Sequence, residues 1–378
     1  MDRGEIELSF YEEYKSYCNS EINTLLFNTD SFKVKRIIDK KDLTPQDLAL
    51  LFSPGAEVHL EEMAQLANRI SLQHFGRVIL LYTPLYLGNY CVNGCIYCGF
   101  NAGNRIERRK LSFSEVEREA KVIAASGIKH LLVLTGESRQ HTPVSYIKDC
   151  LQILRSYFPS VSIEIYPLET FEYIELIKAG ADGITIYQEV YDEAVYQRVH
   201  PFGPKRDYRF RLNAPDRAGK AGMRTIGIGA LLGLHDWRSE AFFAAMHAVH
   251  LQHRFPEVEI NLSFPRIRPE CGGFQPDSSV NDRELVQIIL AFRIFLPYAG
   301  LTISTRERAE LRNHLVKLGI TKMSAGSSTV VGGHIDSQGT GQFEISDHRT
   351  VDEMAEAIIT NGYKPVYKDW HSIGVENR

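Results

Sequence analysis

Nothing in the 378-residue chain approaches the ~18 uninterrupted apolar residues that a membrane-crossing helix needs, so a bilayer is not its expected setting. The N-terminus, Met1-Asp2-Arg3-Gly4-Glu5-Ile6-Glu7, is acidic and lacks the basic-then-apolar order of a secretory signal, so the expected location is the cytoplasm. An excess of one charge is missing too. With 43 Lys and Arg against 47 Asp and Glu the net charge is −4, and neither a nucleic acid nor a membrane surface is an expected partner. The one dense block, Arg105-Ile106-Glu107-Arg108-Arg109-Lys110, is mixed in sign and reads as a solvated face. Internal repeats, low-complexity stretches and long linkers are absent as well.

Cysteine is scarce. Six in so long a chain build no disulfide framework, and Cys18, Cys150 and Cys271 stand alone, as small buried hydrophobes do. The other three crowd into Cys91-Val92-Asn93-Gly94-Cys95-Ile96-Tyr97-Cys98, a C-x₃-C-x₂-C spacing with Gly94 at the bend. Such a loop lets three thiolates converge on one small inorganic core. A [4Fe–4S] cube wants four ligands, so three leave one iron open to an outside ligand. Structural zinc is the alternative, but a closed zinc site needs a fourth protein ligand, and no companion C-x₂-C or H-x₃-H lies nearby.

The rest of the chain alternates. Residues 1–75 read as a helical extension, with Thr44-Pro45-Gln46-Asp47 as a helix start. From residue 76, apolar β-branched runs alternate with amphipathic stretches. The runs are Val78–Leu85, His130–Thr135, Ser162–Leu168, Gly183–Tyr187, Thr225–Leu231, Glu259–Phe264, Leu301–Thr305 and Lys322–Ser324. Several intervening helices end on Gly127, Gly180 or Gly319, as C-caps do. Eight βα units over residues 76–328 predict an α/β fold, a (βα)₈ TIM-type barrel, with a doubly wound open sheet as the alternative. Residues 329–378 read as loop, a short helix near Val351–Thr360 and a tail. Polar groups gather at the strand ends, where barrels assemble chemistry: Glu137, Glu169, Gln188-Glu189, Gly229, Ser263 with Arg266, Thr305-Arg306 and Ser324.

The cysteine spacing, with aromatic Tyr97 before the last cysteine, resembles the radical S-adenosylmethionine superfamily. Further segments narrow the resemblance to its aromatic amino acid lyase group: Thr83-Pro84-Leu85-Tyr86-Leu87-Gly88-Asn89, Leu132-Val133-Leu134-Thr135-Gly136-Glu137, Ile186-Tyr187-Gln188-Glu189, Ser263-Phe264-Pro265-Arg266 and Ile303-Ser304-Thr305-Arg306-Glu307. The resemblance also extends to Pro365-Val366-Tyr367-Lys368-Asp369-Trp370. It implies a [4Fe–4S] cluster on Cys91, Cys95 and Cys98, and S-adenosylmethionine held by Tyr97, Gly136, Glu137, Gln188, Glu189, Arg211 and Gly229.

On the same resemblance the reaction is cleavage of the Cα–Cβ bond of L-tyrosine. Arg306 would take the substrate carboxylate, Tyr86 and Ser324 would complete the polar end, and His235, Asp236 and Arg266 are candidates for the phenol. A flavodoxin- or ferredoxin-type electron donor and a thiazole synthase are the implied partners. The group's tryptophan lyases share these motifs and stay an alternative, as does a non-catalytic iron–sulfur carrier. The group's hydrogenase-maturation members carry a second cysteine-rich site near their C-terminus. No cysteine follows Cys271, so a second cluster of that kind is not expected.

Overall fold

A computed structural model describes residues 9–276 and 278–368. Its strands are β1 (Val78–Gly88), β2 (His130–Thr135), β3 (Ser160–Glu164), β4 (Gly183–Thr185), β5 (Thr225–Gly229), β6 (Glu259–Ser263), β7 (Gly300–Ile303), β8 (Lys322–Ser324) and β9 (Lys364–Val366). Each of β1 to β8 pairs in parallel with the next, and β8 pairs with β1, so these strands close a barrel. The closed ring excludes the open-sheet alternative. All eight expected strands are present, with shifted ends. The third starts earlier and stops at Glu164, because Pro167 has no N–H for a ladder and Glu169 turns away to cap helix Thr170–Ala179. Gly180 ends that helix at φ 117°, a conformation that carries no steric cost for glycine.

Strand β9 was expected to be tail. It pairs through Val78↔Lys364 and Leu80↔Val366 with the N-terminal half of β1, whose C-terminal half pairs with β2. Asp369 and Trp370 lie outside the described residues.

The helical reading of the first segment holds from Phe10 onward. Thr44 and Asp47 form a reciprocal capping box on helix Pro45–Phe52, as the sequence predicts. These helices pack on the outside of the barrel. Phe52 meets Trp237 and Phe292 edge-on at 6.2 and 5.6 Å, and Phe10 stacks on His247 at 4.2 Å. Gln287 donates to the carbonyls of Leu51 and Ser53 at 2.9 Å, satisfying backbone groups that the contact buries. No helix among the described residues is long and apolar enough to cross a membrane.

Residues 325–350 cross the C-terminal mouth of the barrel. Val331 bridges Tyr86 of β1, and the backbone N–H groups of Ser346 and Asp347 donate to Thr305 O. Arg312, about 1 % exposed, pairs with the equally buried Asp347, which Arg349 also grips. Those two guanidiniums hold the Asp347 carboxyl down at about 2.

Candidate active site

The cysteine loop leaves β1 at Gly88 and is tied on three sides. Val92 N–H donates to Glu137 O, Gly94 N–H to Phe202 O and Gly99 N–H to Gln342 O. Two glycines permit this packing. A Cβ on Gly136 would stand 2.4 Å from Tyr90 O, and one on Gly94 would stand 2.3 Å from the Phe202 ring. Gly94 thus lets the Phe202 ring lie close over the loop, and it has no left-handed bend to serve. Asn93 is the hub of the loop. Its amide donates to Glu137 at 2.6 Å and to Cys91 Sγ at 3.8 Å, and its oxygen accepts from Lys205 N–H at 2.9 Å.

All three cysteines line one cleft of about 610 Å³, shared with Tyr86, Gly136, Glu137, Glu164, Glu189, Lys205, Arg211 and Gln342. The donor set fits an iron–sulfur cluster. Gln342 donates to Cys98 Sγ at 3.6 Å, so two of the three sulfurs receive N–H groups, as electron-rich thiolates do. Among the described residues no three Cys, His, Asp or Glu side chains stand close enough to hold one metal ion, so the three thiols line the cleft without meeting at one point. Burial pushes the Cys95 thiol up to about 12 and Cys98 up to about 11, with the Lys205 charge opposing it at both. Ligation must therefore displace protons.

Glu189 has φ 72°, the one positive value among the described non-glycine residues. Its carboxylate accepts from Lys205 at 2.6 Å and faces Arg211 at 3.4 Å, and these cations hold it below its ordinary range against the opposing effect of burial. Arg211 also donates to Tyr187 O at 2.6 Å. Tyr97 turns its hydroxyl to His200 Nε2 at 2.7 Å and lines the neighbouring cavity.

Besides Tyr97, two expected cofactor residues do not line the cysteine cleft. Gln188 is buried beside it, with neither amide atom bonded, and Gly229 serves strand packing, since a Cβ there would stand 1.8 Å from Ser263 O.

A second chamber of about 490 Å³ adjoins the first through Tyr86, Leu134 and Glu164, and contains Arg306 and Ser324. The Arg306 guanidinium lies 3.4 Å from the centre of the Phe343 ring and donates to Arg266 O at 3.3 Å. Its rivals for a salt bridge are occupied: Glu307 binds Arg266 and Glu310 faces Arg308. Desolvation lowers the Arg306 guanidinium from its ordinary value, opposed by Tyr86, Tyr187, Glu164 and Glu189. Tyr86 donates to Gln342 Oε1 at 2.8 Å, and Ser324 Oγ accepts from Thr305 N–H at 3.0 Å.

The phenol candidates fall elsewhere. Asp236 caps helix Trp237–Arg254, His235 binds Glu240 at 3.0 Å, and Arg266 is held by Glu307 and Asp282. The chambers bring in residues that the sequence did not single out: Lys205, Glu164, Gln342 and Phe343. Only a carboxylate closing β3 could have flagged one of them. Glu169, expected at that rim, is a helix cap instead.

Residues 85–245 match the radical SAM superfamily, and residues 263–364 match the biotin and thiamin synthesis associated domain. The chain is 40% identical over 366 residues to 2-iminoacetate synthase of Escherichia coli K12, covering 96% of this chain and 97% of that one. It belongs to the 2-iminoacetate synthase family. The Salmonella typhimurium enzyme is 41% identical over 90% of both chains. A crystal structure of HydG, a maturase of the [FeFe]-hydrogenase, superposes with a TM-score of 0.88 at 33% identity, covering 94% of this chain and 80% of that one. The family's cofactors are a [4Fe–4S] cluster and S-adenosylmethionine, and the donor set described above suits them.

Proposed function

We propose that the protein is a radical S-adenosylmethionine lyase that cleaves the Cα–Cβ bond of L-tyrosine, giving 2-iminoacetate (dehydroglycine) and p-cresol. The observation that carries this reading is Arg306. It is a half-buried guanidinium with no carboxylate partner among the described residues, in a chamber that opens onto the three cysteines. An amino acid carboxylate is its natural counter-ion. A non-catalytic iron–sulfur carrier has no use for such a chamber.

The cluster and S-adenosylmethionine, when bound, would supply the radical chemistry of bond cleavage, and the released 4-hydroxybenzyl fragment would take one further electron and a proton from the external reductant and solvent to become p-cresol. The chain's own part is to bind and to shield. Cys91, Cys95 and Cys98 hold the cluster, with Asn93 and Gln342 donating to its thiolates. Glu137, Glu189 and Arg211 offer the polar contacts that the amino acid and ribose portions of S-adenosylmethionine require. Arg306 fixes the tyrosine carboxylate, with Tyr86 and Ser324 beside it. Residues 325–350 lie over the mouth and exclude water.

Dehydroglycine hydrolyses readily, so direct hand-over to a thiazole synthase suits the product, and a flavodoxin- or ferredoxin-type protein suits the electron supply. Both partners, like the cytoplasmic setting, belong to this reading. The test is product analysis of reduced, cluster-loaded protein given tyrosine and tryptophan together. We expect p-cresol and 5′-deoxyadenosine; turnover of tryptophan alone would move the assignment to a tryptophan lyase.

A further inference from the structure

Glu164 closes β3, and the reading above gives it no task. Its carboxylate makes no hydrogen bond or ion pair among the described residues, and its surroundings act on it only through burial and more distant charges. It lines the Arg306 chamber and the cysteine cleft alike, so it stands where one opens into the other. Burial and the nearby Glu189 push its carboxyl up to about 7. A half-buried anion facing two chambers carries a desolvation cost that a cation would offset. Lys205 and Arg211 are engaged with Glu189, and Arg306, which touches the Phe343 ring and the Arg266 carbonyl, makes no ion pair with Glu164.

An α-amino acid whose carboxylate meets Arg306 brings an ammonium on the adjoining carbon. We infer that Glu164 receives the α-ammonium group of the substrate. The inference rests on the lyase reading and deepens it. Arg306 and Glu164 together recognise a zwitterion, which selects α-amino acids over acids lacking the amine. Glu164 also sets the amino nitrogen at the junction of the two chambers, on the side from which a hydrogen atom must leave.

The test compares equilibrium binding of L-tyrosine and of 3-(4-hydroxyphenyl)propanoate, which lacks the amine, to anaerobic cluster-loaded protein with S-adenosylmethionine present. Wild type should prefer tyrosine by about 10-fold or more, the usual worth of a charged hydrogen bond. Glu164→Gln should bring the two affinities together, while S-adenosylmethionine binding, measured separately by equilibrium dialysis, stays unchanged and shows that the site is intact. A variant that keeps the wild-type preference overturns the inference. So does one whose loss falls on S-adenosylmethionine instead, since Glu164 would then serve the cofactor. Wild-type protein that binds neither compound sinks the lyase reading and this inference together, whereas a preference unaltered by Glu164→Gln sinks this inference alone.

Discussion

Arg306 shows how neighbouring pairs decide what one side chain is free to do. Glu307 sits next to it in sequence, yet its carboxylate is spent on Arg266, and Glu310 faces Arg308 at the surface. Arg306→Lys keeps a charge but loses the planar fork, so tyrosine affinity should fall about 10- to 100-fold while the iron content stays at wild-type level. Titration of tyrosine binding, with iron analysis of the same samples, checks this. Glu164 makes the complementary point about cost. Its unfolded-state carboxyl titrates near 4.5 and its folded-state carboxyl at about 7, raised by burial and Glu189 against Arg306, Arg211 and Lys205. A raised carboxyl lets the unfolded chain release its proton first, so stability falls as pH rises from about 4.5 to 7 and the full penalty remains above that window. Without substrate, Glu164→Gln should therefore raise the melting temperature at pH 8, by a free energy of at most about 3 kcal/mol, and leave it unchanged near pH 4. At this scale the three cysteines stood out because their spacing is local, whereas Arg306 came forward only through the resemblance of its segment to a known family. Lys205, Glu164 and Gln342 did neither, since each matters only through a neighbour far away in the chain.

Two segments carry the architecture of the site. The cysteine loop depends on the close approach of Tyr90 O to Gly136, where a Cβ would stand at 2.4 Å. Gly136→Ala should push the loop off the end of β2 and reduce iron bound per chain by more than half, read by iron and sulfide analysis after loading. The C-terminal loop depends on Arg312 and Asp347. Asp347→Asn leaves a fully buried guanidinium without its counter-ion and should cost about 3–5 kcal/mol, visible in denaturant unfolding. Asp347 has a depressed folded-state value, so its contribution is fully present above its unfolded value of 3.8 and is lost only as pH falls through about 2. The eight barrel strands could be read from apolar runs and glycine-capped helices. Strand β9 could not, because three residues show no period, and its pairing with β1 is set by tertiary contact. His235 and Asp236 misled for a related reason. A polar pair after β5 resembles rim chemistry, but Asp236 satisfies the first N–H groups of an 18-residue helix. Asp236→Ala should lower stability by about 1 kcal/mol, with tyrosine cleavage retained.

The whole molecule divides its labour between one face and one end. The N-terminal helices cover the outside of the barrel through Phe10, Phe52 and Gln287, far from the cysteines in chain position yet continuous with the same core. The C-terminal end gathers the cysteine loop, the strand ends and the crossing loop around two joined chambers. That arrangement makes one demand on the chemistry. A substrate anchored at Arg306, with its amine at Glu164, must present an N–H hydrogen toward the cysteine cleft. The measurement that tests this most directly is mass analysis of the 5′-deoxyadenosine formed from ordinary tyrosine in D₂O, where the amine and phenol hydrogens exchange and the carbon-bound ones do not. The account predicts that one solvent deuterium enters each 5′-deoxyadenosine, formed together with p-cresol. Product that carries only protium would place the abstracted hydrogen on carbon and contradict it.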